Sequence, residues 1–310
     1  MTEKQIRVEE PDGVLIVNKH KGVTSHDIVN KVRRLYGTRR VGHAGTLDPM
    51  ATGVLVVLVG RAAKACEYLA SDYKQYRAIL RLGMTTDTED TDGKVLSTSD
   101  EIPDFDTLCN ALFAFRGKIM QIPPMYSALK VGGQKLVDLA RRGEVIERQA
   151  REVEIYALSA EKTEERSDFV LNVRCSGGTY IRTLCADIGQ ALGCGGVMAE
   201  LCRVETCGFS LKEACSISDL EEMTPKDRLL RLIPTEALFR AHEKVSLSAF
   251  YEKLCRSGCE IYLAKIGVDL PIGERVRICD GGGNFFALGE VREYEAGKAI
   301  KAIKTFQLCE

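Results

Sequence analysis

One carboxylate, Asp48, stands alone in the segment RRVGHAGTLDPMATGVLVVLVG, which runs from Arg39 to Gly60. The residues before it are basic and broken by glycines, whereas the residues after it form an almost uncharged, apolar run. A lone carboxylate in a turn bounded by glycine and proline can act as a nucleophile or a base if neighbouring groups keep it ionised. Asp48 is therefore the leading candidate for a catalytic residue.

Simpler interpretations of Asp48 stay open at the level of sequence. Asp followed by Pro is a common helix opening, so Asp48 could cap a helix that begins at Pro49. A phosphoryl-accepting aspartate is disfavoured, because that chemistry generally uses a second acid two residues later, where this chain has Met50. Gly42 and Gly45 also lack the pattern of a phosphate-binding loop.

The cation that would hold Asp48 ionised must come from distant sequence. Arg182, in GTYIRTLC, is expected in the first turn of an otherwise apolar helix. That setting is unusual for an arginine and makes it the best candidate. A surface salt bridge would explain the same residue, and spacing does not decide between the two.

Metal sites are not indicated by the sequence. The twelve cysteines include no C-x-x-C pair, and the four histidines (20, 26, 43 and 242) do not supply the missing partners. We expect the cysteines to be reduced and mostly buried. The acidic stretch from Thr85 to Lys94 resembles a calcium loop only superficially, because Ser99 stands where the bidentate glutamate belongs.

The charge pattern favours a local basic surface on an otherwise balanced protein. The 310 residues carry a formal net charge of −1, yet seven Lys/Arg and one acid lie between Lys19 and Arg40. Such a run is either a solvated helix face or a rim for a phosphate-rich partner. The N-terminus lacks the apolar core of a signal peptide, and the apolar runs are shorter than the ~20 residues of a membrane span. We expect a cytoplasmic protein with no membrane segment.

Hydrophobic periodicity predicts the elements that position these residues. A strand is expected at Gly13–Asn18, then a helix from Thr24 or Ser25 that stops at Gly37. The run GVLVVLVG is a buried strand or a helix packed on all sides. Further predictions are a strand at Lys74–Leu82, an amphipathic helix over 104–117, a helix at Gln134–Arg142, a strand pair at 152–162 and 168–178, and a helix over 179–193. Short strands with glycine turns suggest a β-rich second domain, which divides the chain into residues 1–243 and 244–310.

At this point the chain resembles the bacterial TruB-type tRNA pseudouridine synthases. The resemblance begins with GVLIVNKHKGVTSHDIVNKVRRLYGTRRVGHAGTLDPMATGVLVVLVGRAAK. It continues in order through YKQYRAILRLGMTTDTEDTDG, IPPMYSALKVGGQKLVDLARRG, CSGGTYIRTLCADIGQALGCGG and LCRVETCGF. These motifs are long and cover roughly the first two thirds of the chain. The remaining third resembles, more loosely, the RNA-binding PUA domain that often follows this catalytic domain.

The resemblance implies a fold and an activity. The fold is α+β: a pseudouridine synthase domain with a mixed, largely antiparallel sheet and flanking helices, plus a small C-terminal PUA-like β-barrel. The activity is isomerisation of uridine 55 in the TΨC loop of tRNA to pseudouridine, on a flipped-out base. The resemblance also implies a cytoplasmic monomer that needs no cofactor, guide RNA or obligatory protein partner.

The same resemblance assigns roles to individual residues. Asp48 matches the essential aspartate, which adds to C6 of the uracil or attacks C1′ of the ribose; the sequence does not choose. Tyr76 matches an aromatic residue against the target base, and Arg182 matches the arginine that pairs with the aspartate. The other matched positions are His43 (stacking in the remodelled loop), Tyr180 and Leu201 (base pocket) and Asp90 (second partner of the arginine). Basic residues expected to contact RNA are Lys19, Lys21, Arg39, Arg40, Lys130, Arg141 and Arg142.

Two alternative functions remain. One is a pseudouridine synthase that depends on a guide RNA, although the PPMYSALK…LARRG segment looks like the stand-alone bacterial type. The other is a tRNA-binding folding chaperone whose chemistry is incidental. The presence of Asp48, Tyr76 and Arg182 together favours an active enzyme over the chaperone.

Overall fold

The computed structural model describes residues 10–69, 73–127 and 129–307. The strands in these ranges are β1 (Gly13–Lys19), β2 (Val41–Ala44), β3 (Thr52–Val59), β4 (Lys74–Leu82), β5 (Met84–Thr86), β6 (Val95–Thr98), β7 (Gly117–Gln121), β8 (Lys130–Val131), β9 (Gln134–Lys135), β10 (Arg151–Lys162), β11 (Asp168–Cys175), β12 (Gly196–Thr206), β13 (Phe209–Ser210), β14 (Glu243–Ser246), β15 (Ile261–Tyr262), β16 (Arg275–Cys279), β17 (Phe285–Tyr294) and β18 (Gly297–Thr305). The α-helices are α1 (Ser25–Tyr36), α2 (Phe105–Ala111), α3 (Leu136–Arg141), α4 (Ile181–Ala191), α5 (Ile217–Glu222), α6 (Pro225–Leu230), α7 (Ala249–Arg256) and α8 (Leu263–Ile266). Short 3₁₀ segments occupy Gly60–Tyr68, Leu112–Phe115, Leu211–Glu213 and Thr235–Phe239.

A nine-stranded mixed sheet forms the larger part of the fold. Seven of its strands follow the order β1-β3-β12-β4-β11-β10-β7, while β2 pairs with β3 and β13 pairs with β12. The pairings along this order are antiparallel except between β3 and β12, which run parallel at Thr52–Cys202 and Gly53–Arg203. This parallel contact brings the start of β3, just after Asp48, beside the middle of β12.

Strand β3 is buried on both faces, which explains its continuous apolar sequence. Leu55, Val57 and Val59 pack in one hydrophobic core with α1 and α4, whereas Val54, Val56 and Leu58 pack in a second core on the other face. The ambiguous run GVLVVLVG is therefore a strand, with the period-two alternation of a sheet. Its burial anchors the preceding turn.

Several predicted elements are confirmed because local signals define them. Helix α1 has Thr24 as N-cap, with a capping box to Asp27, and it ends at Gly37, where φ is +64°. Strand β4 spans the predicted Lys74–Leu82, and β10 and β11 form the predicted strand pair, which is antiparallel and in which β11 ends at Cys175, before the predicted 178.

Helix α4 is two residues shorter at each end than the helix predicted over 179–193, and two other helix predictions were also too long. The predicted helix over 104–117 ends as an α-helix at Ala111 and continues as a 3₁₀ turn. The helix predicted from Gln134 begins instead at Leu136, because Gln134 and Lys135 pair with Val131 and Lys130 in a small hairpin. The first region ends in a tighter 3₁₀ turn, and the second begins with strand pairing. Hydrophobic periodicity in the sequence does not distinguish either of these from an α-helix.

The C-terminal part forms a separate five-stranded sheet in the order β14-β16-β17-β18-β15, curled around a core with α7 and α8. Phe239, Phe285 and Phe306 also pack into the second core, against residues of β1 and β3. The two sheets thus share buried apolar contacts. The division of the chain at residues 243 and 244 stays a prediction, and the first strand of this sheet begins at Glu243.

Candidate active site

Asp48 lies in the turn between β2 and β3, where it lines a cavity of about 240 Å³. Pro49 and Met50 form a tight turn, and the chain enters β3 at Thr52. The interpretation of Asp48 as the N-cap of a helix at Pro49 is therefore wrong. The carboxylate is 35% exposed, so it remains accessible from the cavity.

Arg182 supplies the cation that Asp48 requires. Its Nε lies 2.9 Å from Asp48 Oδ2, and its side chain is only 5% exposed, which excludes a surface salt bridge. Nη1 donates to the carbonyl of Thr88 at 3.1 Å, and Nη2 donates to the carbonyl of Tyr126 at 2.8 Å. Arg182 is thus held on several sides, and its direction toward Asp48 is fixed by partners far apart in the chain.

Asp90 is a second carboxylate beside the same guanidinium, with Oδ2 3.8 Å from Arg182 Nε. Its Oδ1 accepts from the Thr88 hydroxyl at 2.5 Å and from the Asp92 amide at 3.1 Å. Burial raises the pKa of Asp90, while the hydrogen bond from Thr88 and the charge of Arg182 act in the opposite direction. Arg182 therefore lies between two carboxylates, of which Asp48 is the nearer.

Every backbone carbonyl of the turn Gly45–Pro49 accepts a hydrogen bond. The donors are Arg203 Nη2 to Gly45 (3.0 Å), Arg203 Nη1 to Thr46 (3.4 Å), Ser25 Oγ to Leu47 (3.0 Å), the Ala51 amide to Asp48 (3.0 Å), and both Lys19 Nζ (3.2 Å) and the Gly22 amide (2.9 Å) to Pro49. A turn with all its acceptors paired loses little freedom when substrate binds. This arrangement pre-organises Asp48.

Arg203 and Ser25 are site residues that the sequence reasoning missed. Arg203 is fully buried on β12, and its Nε also donates to the Val54 carbonyl at 2.8 Å. Ser25 is buried at the start of α1, where its hydroxyl accepts from the Leu47 amide at 2.8 Å as well as donating to the Leu47 carbonyl. The sequence signal that could have identified Arg203 was an arginine inside the apolar strand LCRVETC, because a buried arginine needs buried hydrogen-bond acceptors.

The expectation that Lys19 belongs to an exposed basic rim is wrong. Its side chain is fully buried, and Nζ donates to the carbonyls of His20, Val23 and Pro49 at 3.0, 2.8 and 3.2 Å. Burial lowers the pKa of Lys19 to about 8, with the charge of Asp48 acting in the opposite direction. Lys19 therefore stabilises the turn Gly45–Pro49 through the Pro49 carbonyl, and its buried ammonium group is not available to a phosphate.

Aromatic, apolar and basic side chains line the cavity. Tyr76, Tyr180 and Leu201 line it, as do Lys74 and Ser127. Tyr76 is 7% exposed, and burial raises its pKa, an effect that the nearby guanidinium of Arg203 opposes. Tyr76 is therefore a phenol at neutral pH.

The remaining predicted residues lie outside this cavity. His43 lies on β2, where burial lowers its pKa, so the imidazole is neutral at neutral pH. Lys21, Arg39 and Arg141 are exposed. Two further arginines are also exposed but have acidic partners: Arg40 with Glu10 at 3.2 Å and Arg142 with Glu144 at 2.6 Å. Lys130 begins β8, and its side chain lies outside the described part of the structure.

Neither a metal cluster nor a disulfide is found among residues 10–69, 73–127 and 129–307. Eleven free cysteines lie in these ranges, and seven of them are buried, which confirms the expectation that the cysteines are mostly buried. Cys309 lies outside the described residues. Within the described ranges, the helices are all too short or too polar to cross a membrane.

Comparison of the sequence with known proteins identifies the family of this chain. Residues 33–181 match the model of the TruB family pseudouridylate synthase N-terminal domain, and residues 182–240 match that of the tRNA pseudouridylate synthase B C-terminal domain. A tRNA pseudouridine synthase B from Alkaliphilus oremlandii is 41% identical over 267 residues, 86% of this chain and 88% of that protein. The protein of the same name from Clostridium tetani is 38% identical over 294 residues, 94% of this chain and 99% of that protein.

Solved structures share the fold. A crystal structure of a Cbf5-Nop10-Gar1 complex matches with a TM-score of 0.75 at 25% identity, covering 96% of this chain and 85% of that chain. The archaeal box H/ACA sRNP Nop10-Cbf5 complex matches with a TM-score of 0.72 at 23% identity, covering 98% and 89%. The α+β pseudouridine synthase fold with a curled C-terminal sheet is thereby confirmed.

Proposed function

The chain belongs to the tRNA pseudouridine synthase B family of isomerases, and from that premise we propose that it converts uridine 55 of the tRNA TΨC loop to pseudouridine. It does so as a cytoplasmic monomer, without a guide RNA, a cofactor or a protein partner. The observation that carries the proposal is the Asp48–Arg182 pair, with its 2.9 Å contact, at the wall of a cavity of about 240 Å³. A single uracil ring needs a site of this kind: small, aromatic-walled and accessible from one side.

Asp48 is the nucleophile. Arg182 Nε contacts Oδ2 at 2.9 Å, and Oδ1 is the oxygen that attacks. In the isomerisation the C1′–N1 bond breaks, a C1′–C5 bond forms, C5 loses its proton and N1 gains one. Asp48 adds to C6 of the uracil or attacks C1′ of the ribose, and both routes need the same ionised, oriented carboxylate.

Tyr76 and Leu201 enclose the base. As a buried phenol, Tyr76 offers a ring face to the uracil and a hydroxyl that donates a hydrogen bond. Burial opposes loss of its proton, so Tyr76 contacts the base in its neutral form. Tyr180 closes the side of the cavity next to Arg182.

The target uridine must leave its stacked position in the tRNA elbow, which costs a few kcal/mol. Phosphate contacts offset this cost, and exposed Lys21, Arg39 and Arg141 are the candidates for them. His43, neutral and half-buried on β2, stacks with displaced bases. The C-terminal sheet is a PUA-like domain that adds RNA contacts.

The segment from Leu129 to Glu144 closes over the bound RNA. Its Leu136 and Leu139 pack with Met125 in a small core that is distinct from the core of the large sheet. A cluster of this size gives little independent stability, which suits a segment that moves when RNA binds. Tyr126 lies before this segment, and its carbonyl accepts a hydrogen bond from Arg182.

The test is to incubate purified protein with an unmodified tRNA transcript and to map pseudouridine by carbodiimide-blocked primer extension. We expect one stop, at uridine 55, that is lost in Asp48→Asn. No stop with the wild type despite tRNA binding would overturn the stand-alone activity and direct the experiment to guide RNAs. An Asp48→Asn variant that fully rescued function in cells would support the chaperone instead.

A further inference from the structure

We propose that Gln121, at the end of β7, is a positioning residue for the isomerisation because it fixes the start of helix α4, which carries Arg182. The inference rests on the role proposed for Arg182 above. Gln121 lies 59 residues before Tyr180 in sequence, and its side chain is 1% exposed. It does not line the catalytic cavity and acts only through the residues it holds.

The amide of Gln121 forms a reciprocal pair with the backbone of Tyr180. Nε2 donates to the Tyr180 carbonyl at 3.2 Å, and Oε1 accepts from the Tyr180 amide at 3.0 Å. Tyr180 is the N-cap residue of α4, and no side chain of its own caps the helix. The distant glutamine therefore supplies the fixed attachment that a local cap normally gives.

Gln121 is connected to Arg182 in two ways, through Tyr180 and through the chain that follows β7. In one direction, Tyr180 is followed two residues later by Arg182 in the first helical turn. In the other direction, the chain leaves β7 through Pro123 and Pro124, and the Tyr126 carbonyl accepts from Arg182 Nη2 at 2.8 Å. Proline restricts this connection to an extended form. A displacement at Gln121 would thus shift both the helix and the backbone acceptor that orient the guanidinium.

Only a side chain with a donor beside an acceptor satisfies this site. An ionised glutamate has the same shape but offers two acceptors, one of which would face the Tyr180 carbonyl oxygen. A protonated glutamate restores one donor and one acceptor. Burial against a carbonyl raises the pKa of such a carboxyl group above its usual ~4.3, so protonation falls within a range where the enzyme can be assayed.

The test compares Gln121→Glu and Gln121→Leu with wild type in single turnover on saturating tRNA labelled with tritium at C5 of uridine. Tritium release reports isomerisation at any uridine, so the result does not depend on position 55. The matched control is Gln190→Glu, the same change at an exposed position on α4. Binding of tRNA is measured separately on each protein.

We expect Gln121→Glu to be about 100-fold slower than wild type near pH 8, with tRNA affinity nearly unchanged. The ratio of its rate to the wild-type rate should recover by about tenfold or more between about pH 8 and pH 6. Gln121→Leu should be slow throughout, and Gln190→Glu should match wild type.

A constant ratio across this pH range, or a wild-type rate in Gln121→Leu, would overturn the proposal. A Gln121→Glu protein unfolded near pH 6 would also overturn it, because the protonated side chain restores the hydrogen bonds. Failure of the uridine 55 proposal is seen separately, as wild-type tritium release without a stop at that position. Failure of the Arg182 role appears as an Arg182→Lys variant that keeps the wild-type rate.

Discussion

The buried guanidinium of Arg203 donates to the carbonyl oxygen of Gly45 at 3.0 Å, across 158 residues of sequence. A second donor reaches Thr46, and Nε reaches Val54. This arginine therefore ties the turn Gly45–Pro49 both to β12 and to the first residues of β3. It has no carboxylate ion-pair partner among the described residues, so hydrogen bonds to these carbonyls and the interaction with the Tyr76 hydroxyl stabilise its charge.

Replacing Arg203 with methionine should destabilise the fold by about 2–4 kcal/mol, because several buried carbonyls lose their donors. Arg203→Lys keeps the charge but lacks the planar fork that reaches these acceptors together, and should lower the single-turnover rate by about 10- to 100-fold. Urea unfolding and tritium release measure the two effects. Arg166→Met, at an exposed site, is the control. A wild-type rate in Arg203→Lys would contradict this prediction, because it would show that the turn Gly45–Pro49 keeps its geometry without the planar guanidinium group.

Arg182→Lys should lower the rate by about 100- to 1000-fold, with little effect on tRNA affinity. Lysine cannot contact Asp48 while also donating to the carbonyls of Thr88 and Tyr126, so the carboxylate loses its orientation. Single-turnover kinetics and filter binding separate the rate from the affinity. Arg166→Lys serves as the conservative control. An equal loss in affinity and rate would instead assign Arg182 to general tRNA binding.

Two neighbouring residues at the start of α1 should separate stability from catalysis. Thr24→Ala removes the N-cap and should cost about 1 kcal/mol with a wild-type rate. Ser25→Ala removes the paired hydrogen bonds to Leu47, next to Asp48, and should slow isomerisation by about tenfold. Thermal unfolding and single-turnover rates check both variants. Equal rates in the two variants would contradict the role of Ser25 in holding the turn.

Asp187, on α4, should make stability depend on pH. Burial raises its pKa to about 6, with Glu89 contributing, from an ordinary value near 3.8. The native state then binds more protons than the unfolded state in that window, so Asp187 lowers stability as pH rises from about 4 to 6. Asp187→Asn should be more stable than wild type by about 1–2 kcal/mol near pH 7.5, after allowance for solvent screening.

Near pH 4 the difference between Asp187→Asn and wild type should largely disappear, because the wild-type carboxyl is then protonated. Urea unfolding at both pH values measures it, with Glu164→Gln, at an exposed site, as the control. If Asp187→Asn gained the same stability at both pH values, the cause would be packing and not ionisation.

Local sequence was sufficient wherever a short-range rule operates. The cap at Thr24, the stop at Gly37 and the alternation of β4 are properties of residues a few positions apart. The resemblance of long motifs identified Asp48, Tyr76, Arg182, Tyr180 and Leu201, which the fold brings to one cavity. Neither signal depends on how the strands are ordered in the sheet.

Tertiary structure decided the residues that hold the site. Strand order places β12 beside β3, and this proximity lets the donors of Arg203 reach the carbonyls of the turn Gly45–Pro49. The same holds for Gln121 and Tyr180, and for Lys19, which looks like a surface cation in sequence but is enclosed by three carbonyls. Every residue has a backbone carbonyl, so the sequence does not mark which carbonyl accepts a hydrogen bond from a buried cation. The pairing of such a cation with a distant turn is therefore visible only in the folded chain.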